Sequence, residues 1–157
     1  MCNDIDETAV EKNYLAAKSA RDEKILPLVQ NLVNPSPAIG WANRERESLA
    51  QRGPLDVSMA LALIHHIAIS NNVPLDEIAR YFSSLSRYLI IEFVAKNDSQ
   101  VRRLLATRDD IFPDYSVDGF ETAFQDYFEI QGKKPIPGTE RILYLLKSRS
   151  VAETAGL

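Results

Sequence analysis

The chain has 157 residues, 45% apolar and 25% charged, the balance of a folded domain with its own core rather than a disordered or fibrous chain. Its 18 Lys and Arg stand against 22 Asp and Glu, a net charge of −4. No overall charge draws it to phosphate backbones or anionic membranes, and no nucleic-acid partner is expected. A lone cysteine, Cys2, excludes an intrachain disulfide and a cysteine-rich zinc site, and suits a reducing, cytoplasmic compartment. The longest apolar run, residues 57–69, is interrupted by Ser58, His65 and His66 and falls short of the about 20 apolar residues a membrane span needs. The polar, acidic start, residues 1–7, reads unlike a secretory or mitochondrial leader.

Val10, Tyr14 and Ala17 recur at helical spacing and predict a helix over 7–19, with Asp6 as its N-cap. Residues 25–29 form a short apolar run containing Pro27, which confines any strand there to a sheet edge. Asn34-Pro35-Ser36-Pro37 is a rigid loop leading through Gly40 and Trp41. A charged helix over 42–52, stopped by Gly53-Pro54, is expected next. Residues 56–64 are almost continuously apolar, the pattern of a strand buried on both faces of a parallel sheet. Pro74 opens a helix carrying Leu75, Ile78, Ala79, Phe82 and Leu85 on one side, and the stretch YLIIEFV over 88–94 reads as a second buried strand. A helix over 99–106 and another capped by Ser116 follow. Two strands over 128–131 and 141–147, joined by the turn region 132–138, end the patterned chain. The reading is one α/β domain over 1–147, an open sheet with an antiparallel C-terminal hairpin at one edge. Residues 148–157 are expected to be a disordered tail.

The glycines at 40, 53, 119, 132, 138 and 156 are scattered, so no phosphate-cradling loop is present, nor are HExxH or G-x-S-x-G motifs. His65 and His66 end the expected 56–64 strand. Adjacent strand residues point to opposite faces, so the pair does not read as a metal site. Ligands of open α/β sheets lie beyond the carboxyl ends of strands, which makes both histidines candidate catalytic residues. The alternative is that one packs or caps the next helix while the other bonds a backbone carbonyl. Asp4 is a candidate acceptor for ribose hydroxyls, with helix capping as the alternative that suits Asp6 better. Glu92, in the middle of its strand, is expected to be a partly buried carboxylate with a structural hydrogen bond, and the charged run 43–47 a solvated helix face.

Several stretches together resemble the class I S-adenosylmethionine-dependent methyltransferase superfamily. The sequence from Asn3 to Val10 resembles its second strand end and following helix, and Leu61 to Ile67 its fourth strand. NPSPAIGW, RGPLDVSMALALIHHIAISNNVPL, IIEFVAKNDSQVRRLLATRDDIF and the closing RILYLL, in that order, resemble a bacterial branch that includes nodulation-associated proteins. The resemblance covers about residues 3–147.

It implies a Rossmann-like sheet in the order 3-2-1-4-5-7-6, with strand 7 antiparallel and Pro27 on edge strand 3. It implies S-adenosylmethionine as cofactor, with Asp4 on the ribose, Asn31 near the adenine amino group where the family often has a carboxylate, and His65 and His66 on the methyl side. The family's strand 1 and glycine-rich loop have no counterpart before Asn3. The chain is therefore expected to be a truncated or degenerate portion of a methyltransferase, inactive alone, with the methyl acceptor left open. The rival expectation is a non-catalytic interaction module or remnant. Without strand 1 the sheet should divide, leaving the 56–64 strand with an open edge prone to self-association.

Overall fold

A computed structural model describes residues 1–150, which divide into two compact units at Leu49 and Ala50. In the first unit, strand β1 (Cys2–Asp4), helix α1 (Glu7–Ala20) and strand β2 (Pro27–Val29) form a small βαβ element whose strands pair in parallel, Asp4 opposite Val29. Asp6 caps α1, its carboxylate accepting from the Thr8 N–H at 2.8 Å. Arg21 ends the helix in the left-handed conformation, its N–H bonded back to Ala17 and Lys18. Pro27 opens β2, at a sheet edge where its missing N–H costs no ladder bond.

The helix expected over 42–52 does not form. Its place is taken by 3-10 turns at Trp41–Asn43 and Ala50–Arg52 and an antiparallel bridge between Ile39 and Arg46. Ala42 and Asn43 both have positive φ, 54° and 56°, and the Glu45 side chain fills the space a Cβ on Gly40 would need. Between Trp41 and Leu49 the only apolar residue is Ala42. Such a helix would have had no stripe to bury, and helices in proteins owe most of their stability to one.

The second unit carries strands β3 (Leu55–Ala60), β4 (Ser86–Val94), β5 (Phe128–Pro135) and β6 (Arg141–Ser148), with helices α2 (Leu75–Leu85), α3 (Ser99–Leu105) and α4 (Val117–Gln125). The sheet order is β3-β4-β6-β5; β3 and β4 are parallel, and β6 pairs antiparallel with both β4 and β5. This is an α/β fold with the expected edge hairpin, and its order is that of the 4-5-7-6 half of the methyltransferase series. The β1–β2 pair matches strands 2 and 3, so the described strands form two sheets rather than one.

The core lies between α2, α4 and one sheet face. Phe120 is fully buried, its ring 5.2 Å from Phe93, 4.1 Å from Phe124 and 4.8 Å from Tyr144, centre to centre. Ile78, Phe82, Leu89, Ile91 and Leu146 close the apolar layer. Burial of each such side chain contributes roughly 1.5–3 kcal/mol.

Two expectations about β3 are corrected. The strand ends at Ala60 rather than continuing to Ile64, because Ala62 turns into the left-handed region at φ 49°. Beyond it the apolar residues coil into a helical turn and a π-helical segment (His66–Ser70), burying Ile64, Ile67, Ala68 and Ile69. Nor is β3 buried on both faces: it is the edge strand, with Val57 51% and Met59 64% exposed. The tail expected over 148–157 begins inside the ordered strand. Ser148 closes β6, its hydroxyl donating to the Ser83 carbonyl at 2.9 Å, while 151–157 lie outside the described residues. No helix among the described residues is long and apolar enough to cross a membrane.

Candidate functional site

In the first unit, Asp4 ends β1 and Asn31 lies just past the paired strand β2, so both stand at carboxyl ends of neighbouring parallel strands. The Gln30 N–H donates to the Asp4 carbonyl at 2.8 Å and holds the two strand ends together. Asp4 Oδ1 accepts from the Asp6 N–H at 2.9 Å, so one carboxylate oxygen fixes the turn into α1. Oδ2 has no partner among the described residues, and the side chain is exposed. Asn31 Oδ1 accepts from the Val33 N–H at 2.9 Å, which leaves its amide N–H groups as the part able to meet a ligand.

In the second unit, His65 and His66 follow β3 on helical backbone rather than on a strand. The strand rule that sends neighbours to opposite faces no longer applies. Their rings lie 4.2 Å apart, centre to centre, tilted by 38°. His65 is 1% exposed, and neither ring nitrogen has a hydrogen-bond partner among the described residues. Burial, with help from His66 and Arg141, pushes its pKa down to about 4. It is a neutral imidazole at neutral pH. His66 is exposed.

Around them sits an ion-pair network that sequence reading saw only in part. Glu92 is 6% exposed near the carboxyl end of β4. One of its oxygens accepts from the Ala62 N–H at 2.6 Å, fixing the turn that ends β3; the other accepts from Arg141 Nη1 at 3.3 Å. Arg141 also donates through Nε to Asp98 Oδ2 at 2.8 Å. Asp98 in turn caps α3, accepting from the Gln100 N–H at 2.8 Å. The guanidinium beside it holds the Asp98 carboxyl below the usual carboxylate range. The structural role expected of Glu92 is therefore met. Arg141 and Asp98 were missed: one opens a strand and the other precedes a helix, and neither position signals the other. Among the described residues no group of three or more His, Cys, Asp and Glu is placed to hold a metal ion.

His65 is enclosed, whereas His66 is open to solvent, shortly after the turn at Ala62 that Glu92 holds.

No protein-family model matches the chain. Over 122 residues, 78% of this chain, it is 43% identical to nodulation protein NoeA of Rhizobium meliloti (strain 1021), and the chain spans 26% of that relative's length. Its fold is similar to the crystal structure of PH0226 from Pyrococcus horikoshii OT3, with TM-score 0.59 and 15% identity over 94% of this chain and 70% of that one. A second similarity is to WbdD, crystallised with the kinase inhibitor LY294002, with TM-score 0.51 and 12% identity over 92% of this chain and 30% of that one. The chain is thus similar to a segment of NoeA, and its likeness to the two solved structures is one of α/β fold.

Proposed function

We propose that this chain is a portion of an S-adenosylmethionine-dependent methyltransferase, with the adenosine contacts in its first unit. The observation that carries the reading is that Asp4 ends one strand and Asn31 follows the end of its parallel neighbour, the end of the strands where open α/β sheets bind ligands. Asp4 fits a ribose diol: its second carboxylate oxygen is unpartnered and exposed, while the first is held by the Asp6 N–H. The amide of Asn31 fits a donor role toward the adenine ring better than the acceptor role of the family's usual carboxylate, because its oxygen already serves Val33. No glycine-rich loop among the described residues offers a cradle for the methionine half. When bound, the cofactor supplies an electrophilic methyl group to a nucleophilic acceptor. Within the second unit, His66 is the exposed imidazole that this reading assigns as the candidate base, its ring 4.2 Å from that of His65.

With only the adenosine half contacted, affinity should be weak. Asp4 as a charged acceptor contributes roughly 1.5–3 kcal/mol, against about 8 kcal/mol for a micromolar site. Calorimetric titration of S-adenosylmethionine into the purified chain tests this, with Asp4→Ala and Asp6→Ala alongside. Binding weaker than micromolar, lost in Asp4→Ala and kept in Asp6→Ala, supports the assignment. Equal losses in both variants at matched stability overturn it.

A second reading, a non-catalytic module that acts by pairing with another chain, is favoured by one observation. Among the described strands β3 pairs with β4 alone, at the sheet edge, and its Val57 and Met59 are exposed. Such an edge templates further strand pairing. Self-association through β3 is the partner interaction this reading predicts.

A further inference from the structure

The second unit contains a cavity of about 610 Å³ that the methyltransferase reading does not use, within the size range of small-molecule sites. One wall is the start of α2 with Val73 and Leu75; another is the segment around Phe112; a third is α4 at Ala123. All three lie in segments that connect or follow strands β3 and β4 in the chain.

The walls are held in place. Arg108 donates to the Ile69 carbonyl and, at 2.7 Å, to Asn72 Oδ1, with its guanidinium 5.2 Å from the Phe112 ring centre. Lys96 binds both Asp110 oxygens at 2.8 Å and the Phe112 carbonyl at 2.6 Å. The Tyr115 hydroxyl donates to the Val94 carbonyl at 2.9 Å. Gly119 sits so close to the Asp114 carbonyl that a Cβ there would collide with it.

The charge of the lining selects the ligand. Lys96 and Arg108 are engaged as described and do not line the cavity; its ionisable lining groups are Asp76, Asp114 and the Tyr115 phenol. Burial pushes that phenol's pKa upward, so it stays neutral. The positive end of α2 is already offset by Asp76 and Glu77 in its first turn. A mostly apolar, half-open groove lined by two exposed acidic residues and by no basic one attracts positive charge and repels negative.

We propose that this cavity is a binding site for a compact apolar amine, whose hydrocarbon body fills the walls and whose ammonium group meets Asp76 and Asp114. The proposal stands apart from the methyltransferase reading, since neither cofactor nor methyl transfer enters its test. Equilibrium dialysis of the full chain against radiolabelled phenethylamine, and against 3-phenylpropanoate as an anion of similar shape, measures the discrimination. The amine should bind at least about fivefold tighter than the anion, a preference that narrows as salt is raised. Asp114→Asn, which changes charge with little change of shape, should weaken the amine about threefold and leave the anion no weaker. Ala123→Trp should remove binding of both; if it fails to fold, Asp114→Asn decides alone. Equal binding of amine and anion, no binding of either, or indifference to Asp114→Asn would overturn the proposal.

Discussion

Arg141 and Asp98, 43 residues apart in sequence, are joined by a 2.8 Å hydrogen bond from Nε to Oδ2. Through it the first residue of the last strand is tied to the cap of α3, and through Glu92 to the turn that ends β3. One guanidinium thus links the cap of α3 to the turn that precedes the histidine pair. Its side chain is 23% exposed, and those of Glu92 and Asp98 are 8% and 10% exposed, so solvent screens the network only weakly.

Replacing Arg141 should therefore be costly. Arg141→Met leaves two enclosed carboxylates without their cation, an effect on the order of 3 kcal/mol. The exposed Arg80–Glu77 pair on α2 is the control, and Arg80→Met should leave stability nearly unchanged. Urea denaturation of both variants checks the contrast; similar losses would show that Arg141 is a surface residue in effect.

Buried His65 sets a pH dependence. His65 has a folded pKa near 4 because it is buried, against about 6.5 in the unfolded chain. The unfolded state therefore binds more protons between these values, and stability falls as pH falls through that window. The full contribution, roughly 3 kcal/mol, is present above about pH 6.5 and is lost toward pH 4. Asp98 acts below this: its carboxyl is depressed by Arg141, so its contribution is lost only as pH drops from about 4 through its lower folded value. His65→Leu should flatten the upper window and leave the lower one. Unfolding free energies measured from pH 8 to pH 3 would contradict this if both variants fell in parallel.

The open edge of β3 predicts association. Sedimentation velocity should show species larger than a monomer at tens of micromolar protein, and the double change Val57→Lys with Met59→Lys should return the chain to monomer. A monodisperse wild-type monomer with a sharp, cooperative melt would instead make the chain a self-sufficient module.

Much of the fold was legible because local pattern and tertiary role agree. The Asp6 cap and the spacing of Val10, Tyr14 and Ala17 announce α1, and YLIIEFV announces β4. The apolar stretch after Val57 misled because a short apolar run does not distinguish strand from buried helix. The left-handed Ala62 that divides it is held by a carboxylate 30 residues away. The charged 42–52 segment has helix-forming residues without an apolar stripe, and backbone turns replaced the helix. At the site, Asp4 was read from its place before a helix, Asn31 only from the family resemblance, and Glu92 from its place inside a strand. Arg141 could not be found in the same way, since an ion pair spanning 43 residues leaves no periodic trace.

The central claim, that the first unit carries the adenosine side of a methyltransferase site, is tested most directly by photo-labelling. Ultraviolet irradiation of the chain with methyl-tritiated S-adenosylmethionine, followed by proteolysis and peptide sequencing, locates bound cofactor. The account predicts label within residues 1–33, competed away by S-adenosylhomocysteine and absent from Asp4→Ala. Label unaffected by the competitor, or undiminished in Asp4→Ala, would contradict it.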